Sequence, residues 1–86
     1  MSFMFDNCGD IKILDFSNFK TGNVQKMEGM FRYCSYISSL DLTSFDTSKV
    51  TDMASMFENN MQLTSLDISN FNTSEVRDMY KMFSSC

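Results

Sequence analysis

The feature that most constrains the fold of this 86-residue chain is an internal repeat of 26 residues. Met-Phe pairs recur at this interval without an insertion, at positions 4–5, 30–31, 56–57 and 82–83. The same offset joins further columns of identical residues: Leu14/Leu40/Leu66, Asp15/Asp41/Asp67, Phe19/Phe45/Phe71, Thr21/Thr47/Thr73 and Val24/Val50/Val76. Such a pattern is typical of stacked units, in which inward side chains meet their own copies one layer away.

The repeat therefore predicts a single domain over residues 1–86. Its repeats cover approximately 4–29, 30–55 and 56–81, with partial units at both ends. Because no polar capping unit is recognisable, we expect the domain to belong to a longer array.

Each repeat contains one segment with the alternation of a half-buried strand. In Ile37–Leu42, Leu40 and Leu42 fall on one face and Asp41 on the other. The corresponding segments are 11–16 and 63–68. Strands stacked at one per repeat must run parallel, so the rest of each repeat has to supply the crossover.

The crossover is predicted to be a helix. Asp46, Thr47 and Ser48 are all residue types that favour helix N-caps, and the sequence does not choose among them. Apolar residues then follow at helical spacing: Val50, Met53, Met56 and Phe57. Gly29 weakens the equivalent helix of the first repeat. The predicted fold is α/β, a leucine-rich-repeat-like solenoid with one short parallel strand and one helix per repeat.

The segment Leu63-Thr64-Ser65-Leu66-Asp67-Ile68-Ser69-Asn70-Phe71-Asn72-Thr73-Ser74-Glu75-Val76, followed by Met79 and Met82-Phe83-Ser84-Ser85-Cys86, resembles the BspA-like surface-protein repeat. This family is related to leucine-rich repeats and is also classed as a domain of unknown function. The resemblance implies a right-handed solenoid in long proteins of bacteria and some protozoan parasites. These proteins are secreted or lipid-anchored at the cell surface and act as adhesins or host-matrix binders. It supplies no catalytic residues.

A column of carboxylates is the main candidate site. Asp15, Asp41 and Asp67 should lie on the exposed face of the sheet about 5 Å apart, where like charges raise one another's pKa. Three interpretations remain open: a calcium ion compensates the charges, neighbouring hydroxyls donate to them, or they are solvated or bonded to backbone at a bend. The candidate ligand face consists of Asp15, Asp41, Asp67, Ser39, Ser65, Thr43 and Ser69.

The cysteines share a second column, formed by Cys8, Cys34, Asn60 and Cys86. A disulfide between Cys8 and Cys34 is conceivable one layer apart, but parallel side chains would hold their Cβ atoms too far from each other. Zinc lacks both histidine and a Cys-x-x-Cys spacing. The column therefore favours a buried ladder in which Cys or Asn satisfies backbone groups in turns. The sequence leaves the redox state open.

The remaining aromatic residues divide into two groups. The regular Phe and Met columns indicate core packing rather than a cofactor or sugar site. Tyr33, Tyr36 and Tyr80 depart from their columns and are predicted on the surface, either as isolated side chains or as part of a binding surface.

Composition excludes several functional classes. With no histidine, three glycines and no nucleophile motif, the chain is not predicted to be an enzyme, and we expect no cofactor and no metal. A net charge of −4 without a basic cluster argues against nucleic acid and against membrane contact by this segment. No apolar run is long enough to span a membrane. No signal peptide is recognisable, so a location at the cell surface or outside the cell is implied only by the resemblance.

Two functions remain. The first is a non-enzymatic protein-binding or adhesion module that contacts a protein or host-matrix ligand through the polar sheet face. The second is a structural spacer, or a self-assembling solenoid that stacks end to end through its exposed core and unpaired edges.

Overall fold

Successive repeats lie side by side and pair in parallel, one full repeat apart. The computed structural model describes residues 1–10 and 16–86. Strand β1 (Ser39–Asp41) pairs with strand β2 (Ser65–Asp67) in the register Leu40↔Leu66. Leu40 is buried between two exposed neighbours, as the alternation predicted. The strands are shorter than the predicted segments, and residues 11–15 of the first copy lie outside the described part of the chain.

The rest of each repeat is a succession of tight turns. In the repeat that begins at Met27, five backbone N–H groups donate to the carbonyl three residues earlier: Met30 to Met27, Arg32 to Gly29, Ile37 to Cys34, Phe45 to Leu42, and Val50 to Thr47. The same turns recur 26 residues further along, as in Met56 to Met53 and Leu63 to Asn60. Each of the two repeats that the structure describes in full is therefore a coil made of one short strand and five turns.

The predicted helix is wrong, and with it the predicted α/β leucine-rich-repeat-like solenoid with a helix in every repeat. Within residues 1–10 and 16–86 there is no helix, and hence none long and apolar enough to cross a membrane. The N–H groups of Met53 and Phe57 donate instead to Asp78 and Met82 of the next repeat, at 2.9 and 3.0 Å. A turn brings residues three apart to one side, just as a helix does. The apolar spacing alone therefore does not separate the two structures.

Left-handed backbone conformations interrupt any helix at two positions of the repeat. All eight described residues with positive φ fall into two columns: Phe3/Gly29/Ser55/Lys81 and Asn7/Tyr33/Asn59/Ser85. From the first of these columns to the second, every other backbone N–H group donates to a carbonyl of the neighbouring coil. Each of these hydrogen bonds joins a residue to the one 25 positions later in the sequence. Gly29 thus does not weaken a helix. It occupies φ 58°, and an added Cβ would collide with the ring of Phe3.

The core is built from the predicted apolar columns and is complete only in the inner layers. Phe31, Phe57, Met27, Met53 and Val50 are fully buried. The rings of Phe5, Phe31, Phe57 and Phe83 form a continuous stack with centroid separations of 5.7 Å and interplanar angles of 4–8°. The last layer is more open, because Phe83 and Met79 remain 49% and 47% exposed.

Candidate functional site

The described residues of the candidate ligand face come together on one exposed surface. Parallel pairing sets Ser39 beside Ser65 and Asp41 beside Asp67, and all four are exposed. Thr43 and Ser69 follow the two strands and are also exposed. We call these six residues the acidic face. Asp15, the remaining member of the predicted face, lies outside the described residues.

Each carboxylate on the acidic face closes a small turn. Asp41 Oδ1 accepts hydrogen bonds from the N–H and the hydroxyl of Thr43, at 3.1 and 2.7 Å. Asp67 Oδ1 accepts from the N–H of Ser69 at 2.9 Å. These are Asx turns, in which a carboxylate or amide oxygen binds the backbone two residues further on.

These hydrogen bonds lower the pKa of both carboxylates. The Thr43 hydroxyl, followed by its N–H, lowers the pKa of Asp41, and the charge of Asp67 opposes this only weakly. Ser69 lowers the pKa of Asp67 in the same way, through its side chain and then its N–H. Mutual repulsion, which would raise both pKa values, is therefore outweighed by local donors. Of the three interpretations of the column, the geometry matches donation from a hydroxyl and from backbone at a bend.

The calcium interpretation gains no support from the geometry. Within residues 1–10 and 16–86, no group of three or more His, Cys, Asp or Glu side chains is placed to hold a metal ion. Calcium takes six to eight oxygen ligands, so the two described carboxylates of the column would supply only a small part of its shell.

Asx turns recur elsewhere on the coil, at positions where the sequence analysis predicted none. Oδ1 of Asp46, Asn72, Asp52 and Asp78 accepts from the N–H two residues later in each case, at 2.8–3.0 Å. The signal was present as Asp or Asn two residues before Ser or Thr, in Asp46-Thr47-Ser48 and Asn72-Thr73-Ser74. The three residues proposed as helix caps therefore form a turn of this kind.

A second polar cluster surrounds Arg32, and sequence reasoning did not identify it. Its guanidinium makes a two-point ion pair with Asp6, with both N–O distances 2.9 Å, and this lowers the pKa of that carboxyl. The rings of Phe3 and Tyr33 lie 5.0 and 5.3 Å from the guanidinium carbon. Asp6 and Arg32 occupy the same column, so the 26-residue offset was the signal that pairs them. The cluster ties together the first two layers.

The three tyrosines lie on the surface, as predicted. Tyr33, Tyr36 and Tyr80 are 42%, 57% and 68% exposed. The first stacks on Arg32, and the last lies near Lys81, whose Nζ is 5.4 Å from its ring centroid. None of them belongs to the acidic face.

The cysteine column binds backbone carbonyls of the preceding coil. Cys34 and Cys86 are free thiols whose Sγ atoms donate to Phe5 O and Phe57 O, both at 3.0 Å. Asn60 takes the same role toward Phe31 O, through its side-chain nitrogen at 2.9 Å. Its buried Oδ1 has no hydrogen-bond partner among the described residues. An amide brings this additional acceptor to a position where a thiol has none, and leaving it unsatisfied is unfavourable. The arrangement is that of a backbone-satisfying ladder.

We expect Cys34 to resist alkylation. Burial raises the pKa of its thiol to about 11, and only the thiolate reacts. In native protein at about pH 8, iodoacetamide should modify the exposed Cys86 at least tenfold faster than the fully buried Cys34. Peptide mapping by mass spectrometry over a time course measures both rates, with denatured protein as the control in which the difference disappears. Equal rates in the native protein would contradict this placement.

Comparison with known proteins assigns the chain to a family. A family model described as "Mycoplasma protein of unknown function, DUF285" matches residues 1–86. No curated protein and no solved structure shows a significant match. The resemblance to BspA-like repeats stays a prediction. The match spans the whole sequence, and the chain therefore belongs to the family of Mycoplasma proteins of unknown function, DUF285.

Proposed function

We propose that this chain is a non-enzymatic binding module that contacts a basic protein surface through the acidic face. The observation that carries the proposal is the register of β1 and β2, which sets two ionised carboxylates side by side on an exposed surface. The adhesive role and the location at a cell surface are the part of the proposal that comes from the resemblance to BspA-like repeats.

The acidic face is suited to recognising cationic groups. Asp41 and Asp67 are held in place by their Asx turns, so little side-chain freedom is lost on binding. A carboxylate has about four acceptor sites, and the turn occupies only part of them. Exposed hydroxyls of Ser39, Ser65 and Ser69 add donors and acceptors around the charges.

A Lys- or Arg-rich ligand is the chemical class that fits this surface. Neither Asp41 nor Asp67 has an ion-pair partner among the described residues. Their uncompensated charges would attract a basic partner over about one Debye length, which favours fast and salt-sensitive association.

The test removes charge while keeping the turns. Asp41→Asn with Asp67→Asn should preserve the backbone, because Asn72 already forms the same turn, with its Oδ1 accepting from Ser74 N at 3.0 Å. Loss of two charges should weaken binding to immobilised Lys/Arg-rich peptides, and then to surfaces coated with matrix proteins, by roughly tenfold. Surface plasmon resonance measures this at low and high salt.

Asp46→Asn is the matched control for this test. It removes the same charge from an exposed Asx turn outside the acidic face. The single substitutions Asp41→Asn and Asp67→Asn should each weaken binding more than Asp46→Asn does. If Asp46→Asn weakens binding as much as either, then net charge rather than the acidic face governs recognition, and the proposal fails.

The second candidate function is a structural, self-associating stack. It is favoured by the exposure of Met79 and Phe83 in the last layer, whereas their copies Met53 and Phe57 are fully buried.

A further inference from the structure

We infer that the basic partner also places an apolar side chain against Tyr36 and Met61, which lie on two stacked turns beside the acidic face. This inference rests on the proposed function and defines the ligand more closely. The ligand is an extended segment in which a Lys/Arg pair and an apolar residue stand about five residues apart. The two turns, residues 34–37 and 60–63, are called the turn ridge.

Two backbone hydrogen bonds define the turn ridge. The N–H of Ile37 donates to Cys34 O at 3.2 Å, and the N–H of Leu63 donates to Asn60 O at 3.1 Å. Each hydrogen bond closes a turn of four residues. Because Cys34 and Ile37 are fully buried, the two central residues of the first turn are left on the outside of the coil. The second turn has the same form one coil later.

The central residues of the turn ridge include two large exposed apolar side chains. Tyr36 is 57% exposed and Met61 is 70% exposed. Tyr36 lies in an inner coil, with Asp10 and Gln62 at the same position of the coils on either side, and it is exposed with both in place. Met61 follows Tyr36 by 25 positions, the offset between hydrogen-bonded residues of neighbouring coils. The two side chains therefore occupy adjacent positions on the turn ridge.

The turns themselves do not require these apolar side chains. The two columns mix residue types, in contrast to the uniform columns of the core: Asp10/Tyr36/Gln62 and Gly9/Ser35/Met61. Asp, Gly and Ser are types that favour turns, whereas Tyr and Met are not. Tyrosine is enriched at the energetic centres of protein interfaces, and methionine adapts its shape to a partner. Their presence on an outward turn thus favours a role in binding.

The turn ridge leads directly into the acidic face. Strand β1 begins at Ser39, three residues after Tyr36, and ends at Asp41. Five residues of chain span at most about 17 Å, so one short partner segment can contact both surfaces. The exposed side chains between Tyr36 and Asp41 are those of Ser38 and Ser39, which are too small to hold a partner away from either surface.

The two surfaces differ in charge, and this difference orients the ligand. The acidic face offers the carboxylates of Asp41 and Asp67, whereas none of the central residues in the two turns of the ridge is charged. Basic side chains of the partner are therefore attracted to the acidic face, which accelerates association. An apolar side chain on the turn ridge adds contacts that slow dissociation.

Synthetic peptides that differ only in their apolar residue test the inference. The first peptide carries a Lys-Arg pair and a leucine five residues away, and it is made in both sequence orders. The second has serine in place of the leucine, and in the third the leucine directly adjoins the pair. Surface plasmon resonance with the full chain should show that one order of the first peptide binds about fivefold to tenfold more tightly than the other two peptides.

Substitutions on the turn ridge should remove this difference. Tyr36→Ser with Met61→Ser should reduce the affinity for the first peptide to that for the serine peptide, which itself should not change. Tyr36→Phe should retain the difference, because the ring rather than the hydroxyl makes the contact. Tyr80→Ser is the matched control, because Tyr80 is 68% exposed but belongs to neither surface. Circular dichroism checks that each variant is folded.

The outcomes separate this inference from the proposed function. Equal binding of all three peptides, weakened in each case by Asp41→Asn with Asp67→Asn, would overturn the inference and leave the proposed function standing. A loss of the leucine preference in Tyr80→Ser as large as that in the ridge variant would do the same. Failure of every peptide to bind, or binding that the two Asp→Asn substitutions do not weaken, would overturn both.

Discussion

Replacing Phe57 with alanine is expected to lower the free energy of unfolding by about 3–5 kcal/mol, enough to unfold much of a domain of this size. Phe57 is fully buried and stacks between Phe31 and Phe83 at 5.7 Å on both sides. Its removal leaves a cavity in the middle of the aromatic stack, and the neighbouring layers are held at fixed spacing by backbone hydrogen bonds, so they cannot collapse into it.

Urea denaturation followed by circular dichroism measures this loss. Phe83→Ala is the matched control, since it removes the same side chain from the same column where 49% of the side chain is already exposed. It should cost roughly half as much or less. Equal losses at Phe57 and Phe83 would show that the stack is not more tightly packed in its interior.

Replacing Thr47 with valine should destabilise the protein by about 2 kcal/mol, although the two side chains have nearly the same shape. The buried Thr47 hydroxyl accepts from Asn72 N at 2.8 Å and donates to Asn72 O at 3.1 Å. Valine leaves both backbone groups of the next coil without this partner. Thr21 makes the same pair of contacts to Asp46, so the column joins successive coils where the strands have ended.

Thr73→Val is the control for this prediction. Thr73 belongs to the same column but is exposed, and its hydroxyl makes no hydrogen bond to another described residue. Its substitution should change the free energy of unfolding by no more than about 0.5 kcal/mol. A loss at Thr47 as small as that at Thr73 would mean that water replaces the hydroxyl, and that packing rather than hydrogen bonding joins the coils there.

The acidic face was largely predictable because it depends on properties that a repeat carries by itself. Alternation in Ser39–Asp41 placed the carboxylate outward, and the 26-residue offset placed Asp67 beside it. Donation from hydroxyls and from backbone at a bend were among the interpretations left open for these carboxylates. The sequence did not choose between them and a calcium ion, although Asp-x-Thr and Asp-x-Ser are patterns typical of Asx turns. The Arg32 cluster was missed because it depends on a side-chain ion pair between layers, for which only the shared column gave a signal.

The sequence by itself determined that the chain repeats every 26 residues, which residues share a column, and that Phe57, Met53 and Val50 face the core. Only the tertiary structure decided the conformation of the segment that carries them. A helix would satisfy its N–H groups internally, whereas here a neighbouring coil offers carbonyls at matching spacing, and the N–H groups of Met53 and Phe57 bind those instead. Left-handed turns at Ser55 and Asn59 make that pairing possible. A helix forms local hydrogen bonds, whereas the observed coil forms hydrogen bonds between coils. The apolar spacing does not distinguish the two structures, because both bury the same side chains.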